Sequence, residues 1–439
     1  MMHTHCCMSE PPTQTPPQPV RRYDCARTLT LLLVAAAIAL CLILPGDVPI
    51  NDDQVWMLIT AAKANASHKL VQFGLSGGMF GLTYGPVPTQ IYQILFLVTH
   101  DLRLFIFLRA MLVTLTIAAA MWSLAKSLNL PRWFIAIVLA SPWVWYFCRD
   151  PWDNNFSLPV GCLLLLAYLR WLQKQTRWRA IAWAALATLL PLLHLSALPL
   201  AIAVFGHALT RQSKLFRPAL PWVLAGVLLA CSTSGPWLWF LSQRFVERAQ
   251  LRLAGYDSSP GAGYEKVEHP SSRETRLVSM TYAFRQATLL TADQDFAARR
   301  GESGTEFLAA LRPAAKAPHL WLAVGIICVV QLLRRSPSEP VAAMGAVALT
   351  ALLVQALIFF VMRIEWHEHY FNGTFASMAL ICWIGVAKLW KHRAARWLLV
   401  ILPALTMIAS TIVIVSMMHA RAQLSPPPRH VAELMKRSG

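Results

Sequence analysis

Val87-Pro88-Thr89-Gln90-Ile91-Tyr92-Gln93-Ile94-Leu95-Phe96-Leu97-Val98-Thr99 is an apolar run that decides how this chain is threaded. A helix rises about 1.5 Å per residue and a hydrocarbon core is about 30 Å thick, so a run this short does not span upright. Runs of roughly 10–14 apolar residues are more often interfacial or re-entrant. Charge gives the same answer. If 87–99 stays on one side, the first return span is 104–125, and Lys126 and Arg132 fall inside. The run 135–147 then leads out, 156–172 returns, and Lys174, Arg177 and Arg179 are also inside. If 87–99 crosses instead, all these basic loops are placed outside, against the positive-inside rule.

Composition agrees with a membrane protein. The 439 residues are 56% hydrophobic and 14% charged, with a mean hydropathy of +0.48, far from the quarter-charged average of soluble domains. Long apolar runs recur along the whole chain, and a transmembrane barrel would show short alternating strands instead. The net charge of +18 follows from basic residues gathered between apolar runs, which suits anionic headgroups. No basic stripe with interleaved aromatics stands outside the apolar runs, which excludes a nucleic-acid partner. Most of the nine cysteines lie inside apolar runs, and no CxxC or ligand spacing is present, so no metal or disulfide framework is expected.

Working outward, Arg21, Arg22 and Arg27 flank the first span, 28–44, on the inside. The segment 180–209, broken by Pro191 and Pro199, reads as a hairpin turning near His194 at the outer face. The run 218–241 leads out to the polar stretch 242–318. Spans 319–333, 341–362, 371–390 and 397–418 follow. The fold class is an all-α polytopic membrane protein of about eleven transmembrane helices, plus an interfacial or re-entrant helix in the first external loop. The expected units are a disordered cytoplasmic tail 1–20 and an N-terminal membrane module 21–241 carrying external loops 46–103 and 148–155. An external loop or small subdomain 242–318, C-terminal helices 319–418 and an external tail 419–439 complete the chain.

The apolar runs hold no Asp or Glu, and their one Lys, Lys388, lies at the inner end of 371–390, which counts against an ion-coupled carrier. Acids gather at the outer interface: Asp52 and Asp53 in the first loop, Asp150 and Asp153 in the second, Glu365 and Glu368 in a late one. Neighbouring carboxylates repel, so such a pair takes up a proton or binds a cation, and a carboxylate so poised can act as a general base. The same residues also fit a plain helix N-terminus, with Asn51 or Asp52 capping a helix through Ala66. The residues fit both readings. His367-Glu368-His369 offers one metal-ligand spacing without a third ligand and reads as a solvated turn. Asn65-Ala66-Ser67 and Asn372-Gly373-Thr374 fit the glycosylation acceptor pattern and fall on the outer side.

These residues resemble, in order, a family. Asp52-Asp53-Gln54-Val55-Trp56 after the first span is similar to the acidic pair and aromatic that open the first external loop of polyprenyl-phosphate-dependent glycosyltransferases of the GT-C fold. That group includes the protein O-mannosyltransferase and aminoarabinose-transferase relatives. Tyr84-Gly85-Pro86-Val87-Pro88 resembles its Pro-rich turn before an interfacial helix. Arg109, then Ser141-Pro142 with Arg149 and Asp153, and finally Tyr370 continue the resemblance in the same order. The chain departs from the pattern in its Asp-Asp pair, in Val87 between the prolines, and in lacking a basic-Tyr-Pro motif late in the chain.

The resemblance implies transfer of a sugar from a polyprenyl-phosphate donor to an acceptor hydroxyl at the external face, with inversion. Asp52 would be the base, with Asp53 and Asp153 positioning the acceptor or sharing a cation. The substrate-binding set would be Tyr84, Arg109, Arg149, His194, Arg363, His367 and Tyr370, with the arginines near the donor phosphate. No dedicated protein metal site is implied, but a divalent cation, Mg or Mn, fits the chemistry. Expected partners are a polyprenyl-phosphate-linked sugar, a glycan, lipid or protein acceptor, and membrane lipids. The implied place is a bacterial inner membrane with the active face periplasmic or extracellular. The competing classes are a carrier or flippase for lipid-linked glycans, or a non-catalytic membrane scaffold.

Overall fold

A computed structural model describes residues 21–42, 52–75, 83–253, 317–336, 339–362 and 368–392, with Ala395 and Glu433. Arg363 and His367, the tail 1–20, residues 254–316 of the long polar stretch, the last span 397–418 and the tail 419–439 lie outside them, Ala395 and Glu433 apart.

Among the described residues the regular structure is helical. The helices are α1 (Arg21–Leu42), α2 (Asp52–Ala66), α3 (Val87–Val98), α4 (Leu102–Leu128), α5 (Phe134–Leu139), α6 (Pro142–Phe147) and α7 (Ser157–Gln173). They continue as α8 (Arg177–Leu193), α9 (Leu198–Thr210), α10 (Ser213–Cys231), α11 (Gly235–Leu253), α12 (Ala317–Arg335), α13 (Pro340–Met362) and α14 (Phe375–Leu389). Five stretches are long and apolar enough to cross a bilayer unaided: Leu102–Leu128, Asp153–Gln173, Ser213–Cys231, Pro340–Val361 and Tyr370–Leu389. The chain is an all-α integral membrane protein.

Other apolar runs are shorter or broken where the sequence breaks them. The run 135–147 divides into α5 and α6, because Pro142 has no N–H to offer the preceding turn. The Ser141 hydroxyl instead accepts the Val144 N–H at 3.2 Å and restarts the helix. The run 218–241, expected as one span, is interrupted at Ser232-Thr233-Ser234. There α10 stops, and α11 begins with Gly235-Pro236 and continues to Leu253. The boundary expected at residue 241 therefore falls inside a helix. Pro236 ends the earlier helix, and the Gln-, Arg- and Glu-rich 243–253 has ample helix propensity to extend the new one.

α3 carries its polarity inside out. Gln90 and Gln93 are buried, whereas Ile94, Leu97 and Val98 are 62%, 78% and 69% exposed. The Gln90 amide donates to the carbonyls of Val71 and Thr233, and Gln93 donates to Asn65 and Lys69 while accepting the Val71 N–H. A buried amide needs such partners, and an exposed apolar ridge needs lipid. At twelve residues the helix is about 18 Å long, too short to span. It lies against α2 at the edge of the bundle.

The core is built from long pairwise packings: α8 along α10, α12 along α14, and α7 between α4 and α8. Glycines allow the closest approaches. A Cβ on Gly325 of α12 would come 2.1 Å from the Ile381 carbonyl oxygen of α14, and one on Gly226 of α10 would come 2.4 Å from that of Ile181.

Candidate active site

At one end of the bundle, the start of α2, the loop between α6 and α7 and the 3-10 turn before α14 (Glu368–Thr374) come together. Asp53, on the first turn of α2, is half-buried. Its neighbour Gln54 is 1% exposed and donates from Nε2 to Asp150 Oδ1 at 2.9 Å, joining the first loop to the second. Asp153 opens a 3-10 turn (Asp153–Phe156) directly ahead of α7 and is 2% exposed. One of its carboxylate oxygens accepts the Asn154 N–H at 2.7 Å, and Oδ2 has no partner among the described residues. Both Asp53 and Asp150 lie within electrostatic reach of Asp153. The structure thus brings Asp53, Asp150 and Asp153 to one place, and Asp52 opens the helix that carries Asp53.

Arg109 and Arg149, expected near a phosphate, are both 0% exposed and engaged with the backbone. Arg109 donates to the carbonyls of Cys148 at 2.9 Å and Trp152 at 3.4 Å, with its guanidinium over the Phe156 ring. Arg149 donates to the Leu40 carbonyl at 2.6 Å, where the last turn of α1 leaves acceptors unfilled. Each acts on the second loop from below: one holds its two shoulders, the other ties it to α1. Tyr92 of α3 is fully buried beside this group, against Phe105 and Phe156, and burial pushes its phenol well above the ordinary tyrosine range. Its hydroxyl lies beside the Arg109 guanidinium.

Three asparagines, not anticipated as site residues, clamp the loop from the far side. The Asn372 amide donates to Asn154 Oδ1 at 3.1 Å and to Asn155 Oδ1 at 2.8 Å, and its oxygen accepts Trp143 Nε1–H at 2.7 Å. Asn155 in turn donates to the Asp150 carbonyl at 2.7 Å. Asn372 was read as part of a glycosylation triplet, but it is 0% exposed with its amide committed. Thr374 of the same triplet is buried too, and donates to Gln355. Asn65 of the other triplet exchanges hydrogen bonds with Gln93. Neither triplet offers a free acceptor amide in this fold. The only sequence signal for the clamp was polar residues bordering an apolar run at the acid-bearing end.

Tyr84, His194 and Tyr370, far apart in sequence, form an aromatic wall. The Tyr84 ring stacks on His194 with centroids 4.5 Å apart, and Tyr370 lies 5.9 Å beyond. His194 sits where α8 ends and a 3-10 turn (Leu195–Ala197) leads into α9. Its Nδ1 accepts the Ser196 N–H, so it carries no proton, and the Ser196 hydroxyl at 2.7 Å must donate to it. Burial lowers the imidazole to about 3, in keeping with a neutral ring. Gly85 lets the Tyr84 turn rest on α8, since a Cβ there would lie 2.0 Å from the Leu192 carbonyl oxygen.

Among the described residues no three His, Cys, Asp or Glu side chains converge as metal ligands. A divalent cation would need oxygens from water or substrate. The arrangement can present buried carboxylate oxygens to a hydroxyl, beside an aromatic surface and above two fixed positive charges.

This all-helical membrane bundle, with its acidic loops joined at one end, shares the GT-C fold. The sequence matches no protein-family model and no curated protein. Among solved structures the chain is similar to ArnT from Cupriavidus metallidurans, in crystal structures bound to undecaprenyl phosphate and in the apo state. For each, the TM-score is 0.50 at 12% identity, covering 94% of this chain and 78% of that one.

Proposed function

We propose that the protein is a membrane glycosyltransferase that moves a sugar from a polyprenyl-phosphate donor to an acceptor hydroxyl at the face carrying Asp53 and Asp153. The observation that carries this reading is the Asp153 carboxylate, buried yet with one oxygen unpartnered among the described residues, beside Asp53 at the joined loops. A buried carboxylate oxygen that no protein donor occupies is free to pair with an acceptor hydroxyl. ArnT, similar in fold, is a protein whose crystal structure holds undecaprenyl phosphate, which supports a lipid-linked donor.

In this mechanism a carboxylate at the head of α2 takes the proton as the hydroxyl attacks the anomeric carbon from the side opposite the phosphate. The C–O bond to the phosphate breaks, the configuration inverts, and the lipid phosphate leaves with the electron pair. The sequence favoured Asp52 as base. The nearness of Asp53 to Asp153 moves the assignment one residue on, with Asp153 orienting the acceptor. Arg109 and Arg149 act through the field of their buried charges on the departing phosphate while fixing the loop. The Tyr84–His194–Tyr370 stack offers its least buried member, Tyr370, to a sugar ring, and Arg363 and His367 keep the donor-binding role that the resemblance implies. The full reading has about eleven spans, with the site facing the outside of a bacterial inner membrane.

A carrier would draw its polar groups through the depth of the membrane, whereas the buried carboxylates among the described residues, Asp150 and Asp153, sit at one end. The test uses purified protein in nanodiscs with labelled undecaprenyl-phosphate sugars and candidate acceptors. Asp53→Asn should lower turnover by about a hundredfold or more, the usual weight of a general base, and Asp52→Asn by less. Undiminished turnover in both variants would sink the base assignment.

A further inference from the structure

At the other end of the bundle, α4, α12 and α14 end and α13 begins around a cleft of about 680 Å³. Its lining mixes cations with apolar side chains. Arg335, Lys388 and Lys391 line it together with apolar side chains that include Leu332, Val341 and Trp390. Among the described residues no Asp or Glu lines it. The three cations are exposed, and Trp390 stacks obliquely on Trp133 at 4.6 Å, an aromatic pair of the kind that marks a headgroup level. α14 separates this cleft from the Asp153 end. Its 15 residues correspond to about 22 Å, so the cleft is a distinct place and not a branch of the candidate active site.

We propose that this cleft binds an anionic phospholipid, its phosphodiester held by Arg335, Lys388 and Lys391 and its glycerol and upper acyl carbons lying against Leu332, Val341 and Trp390. Three helix C-termini around the cleft bring about half a negative charge each, less than the three full cations opposing them. A free phosphate would use the cations and leave the apolar side chains against water, whereas a lipid uses both. Arg supplies the two-pronged contact to phosphate oxygens and the lysines the point charges. Basic clefts between helices at a membrane surface select anionic over zwitterionic headgroups through this balance.

The experiment is native mass spectrometry of the full chain released from detergent, titrated with phosphatidylglycerol, phosphatidylcholine or inorganic phosphate. Wild type should retain phosphatidylglycerol saturably and phosphatidylcholine weakly, with inorganic phosphate not competing. Each cation is worth about fivefold, so the combined variant Arg335→Gln, Lys388→Gln, Lys391→Gln should bind phosphatidylglycerol roughly a hundredfold more weakly. A variant with the same charge change at exposed residues elsewhere, Lys174→Gln, Arg211→Gln, Lys214→Gln, should stay within about twofold of wild type. Equal retention of phosphatidylcholine, displacement by phosphate, no loss in the first variant or an equal loss in the second would each overturn the proposal.

Discussion

Replacing Asn372 by alanine tests whether the asparagine clamp holds the second loop in place. The change removes three buried hydrogen bonds, to Asn154, Asn155 and Trp143. It also strands an indole N–H and two amide oxygens. Each such bond is worth about 1 kcal/mol net, and a stranded buried partner costs more, so about 3 kcal/mol is a floor for the loss. In a loop that opens locally, 3 kcal/mol raises the open population roughly 150-fold. Hydrogen exchange followed by mass spectrometry on peptides spanning 148–157 reads that population directly. The expected outcome is protection lost by about two orders of magnitude in this loop, with α8 and α10 unchanged. Because Asp150 and Asp153 ride on the loop, turnover should fall as well, since a displacement near 1 Å can cost about a hundredfold. Exchange in 148–157 that stays at the wild-type rate would refute the clamp, whatever happens to activity.

Two further outcomes follow from the aromatic wall. Gly85→Ala would drive a methyl to 2.0 Å from the Leu192 carbonyl oxygen, so the Tyr84 turn must lift off α8. Thermal unfolding in detergent should show a loss of about 1–3 kcal/mol, and weaker retention of undecaprenyl phosphate than wild type; a variant equal to wild type in both contradicts the packing. For His194, burial holds the folded pKa at about 3, below the ordinary value of 6.5. Between those values the unfolded form binds a proton that the folded form refuses. Stability is therefore intact above pH 6.5 and falls by about 1.4 kcal/mol per pH unit as pH drops below it. Melts of wild type and His194→Gln from pH 7.5 to 5 should converge towards the acid side, and parallel curves would rule out a buried neutral imidazole.

The run 87–99 shows how far sequence could go. Its length and the basic residues of the following loops placed a non-spanning helix there, and the described helix, Val87–Val98, is too short to cross. Hydrophobicity alone did not say which side of it faces in. Burial of Gln90 and Gln93 and exposure of Ile94 and Leu97 depend on the backbone groups of 65–71 and Thr233 that receive the amides. The Pro-broken turn at His194 could be read from Pro191 and Pro199, but the break at 232–234 was missed, because Ser-Thr-Ser inside an apolar run can also stay helical.

The sequence by itself determined a helical membrane protein and the end at which its carboxylates gather, because charge and apolar length act locally and are priced by the bilayer residue by residue. It also supplied the resemblance to the GT-C fold that the structure shares. Only the tertiary structure decided what those residues face. Arg109 and Arg149, which in sequence look like phosphate ligands, are turned onto carbonyls of their own chain. Asn372, which looks like a surface acceptor, is instead the buried clamp of a loop more than two hundred positions earlier. Hydrogen-bond partners so distant in sequence leave no periodic trace, and only folding brings them within 3 Å.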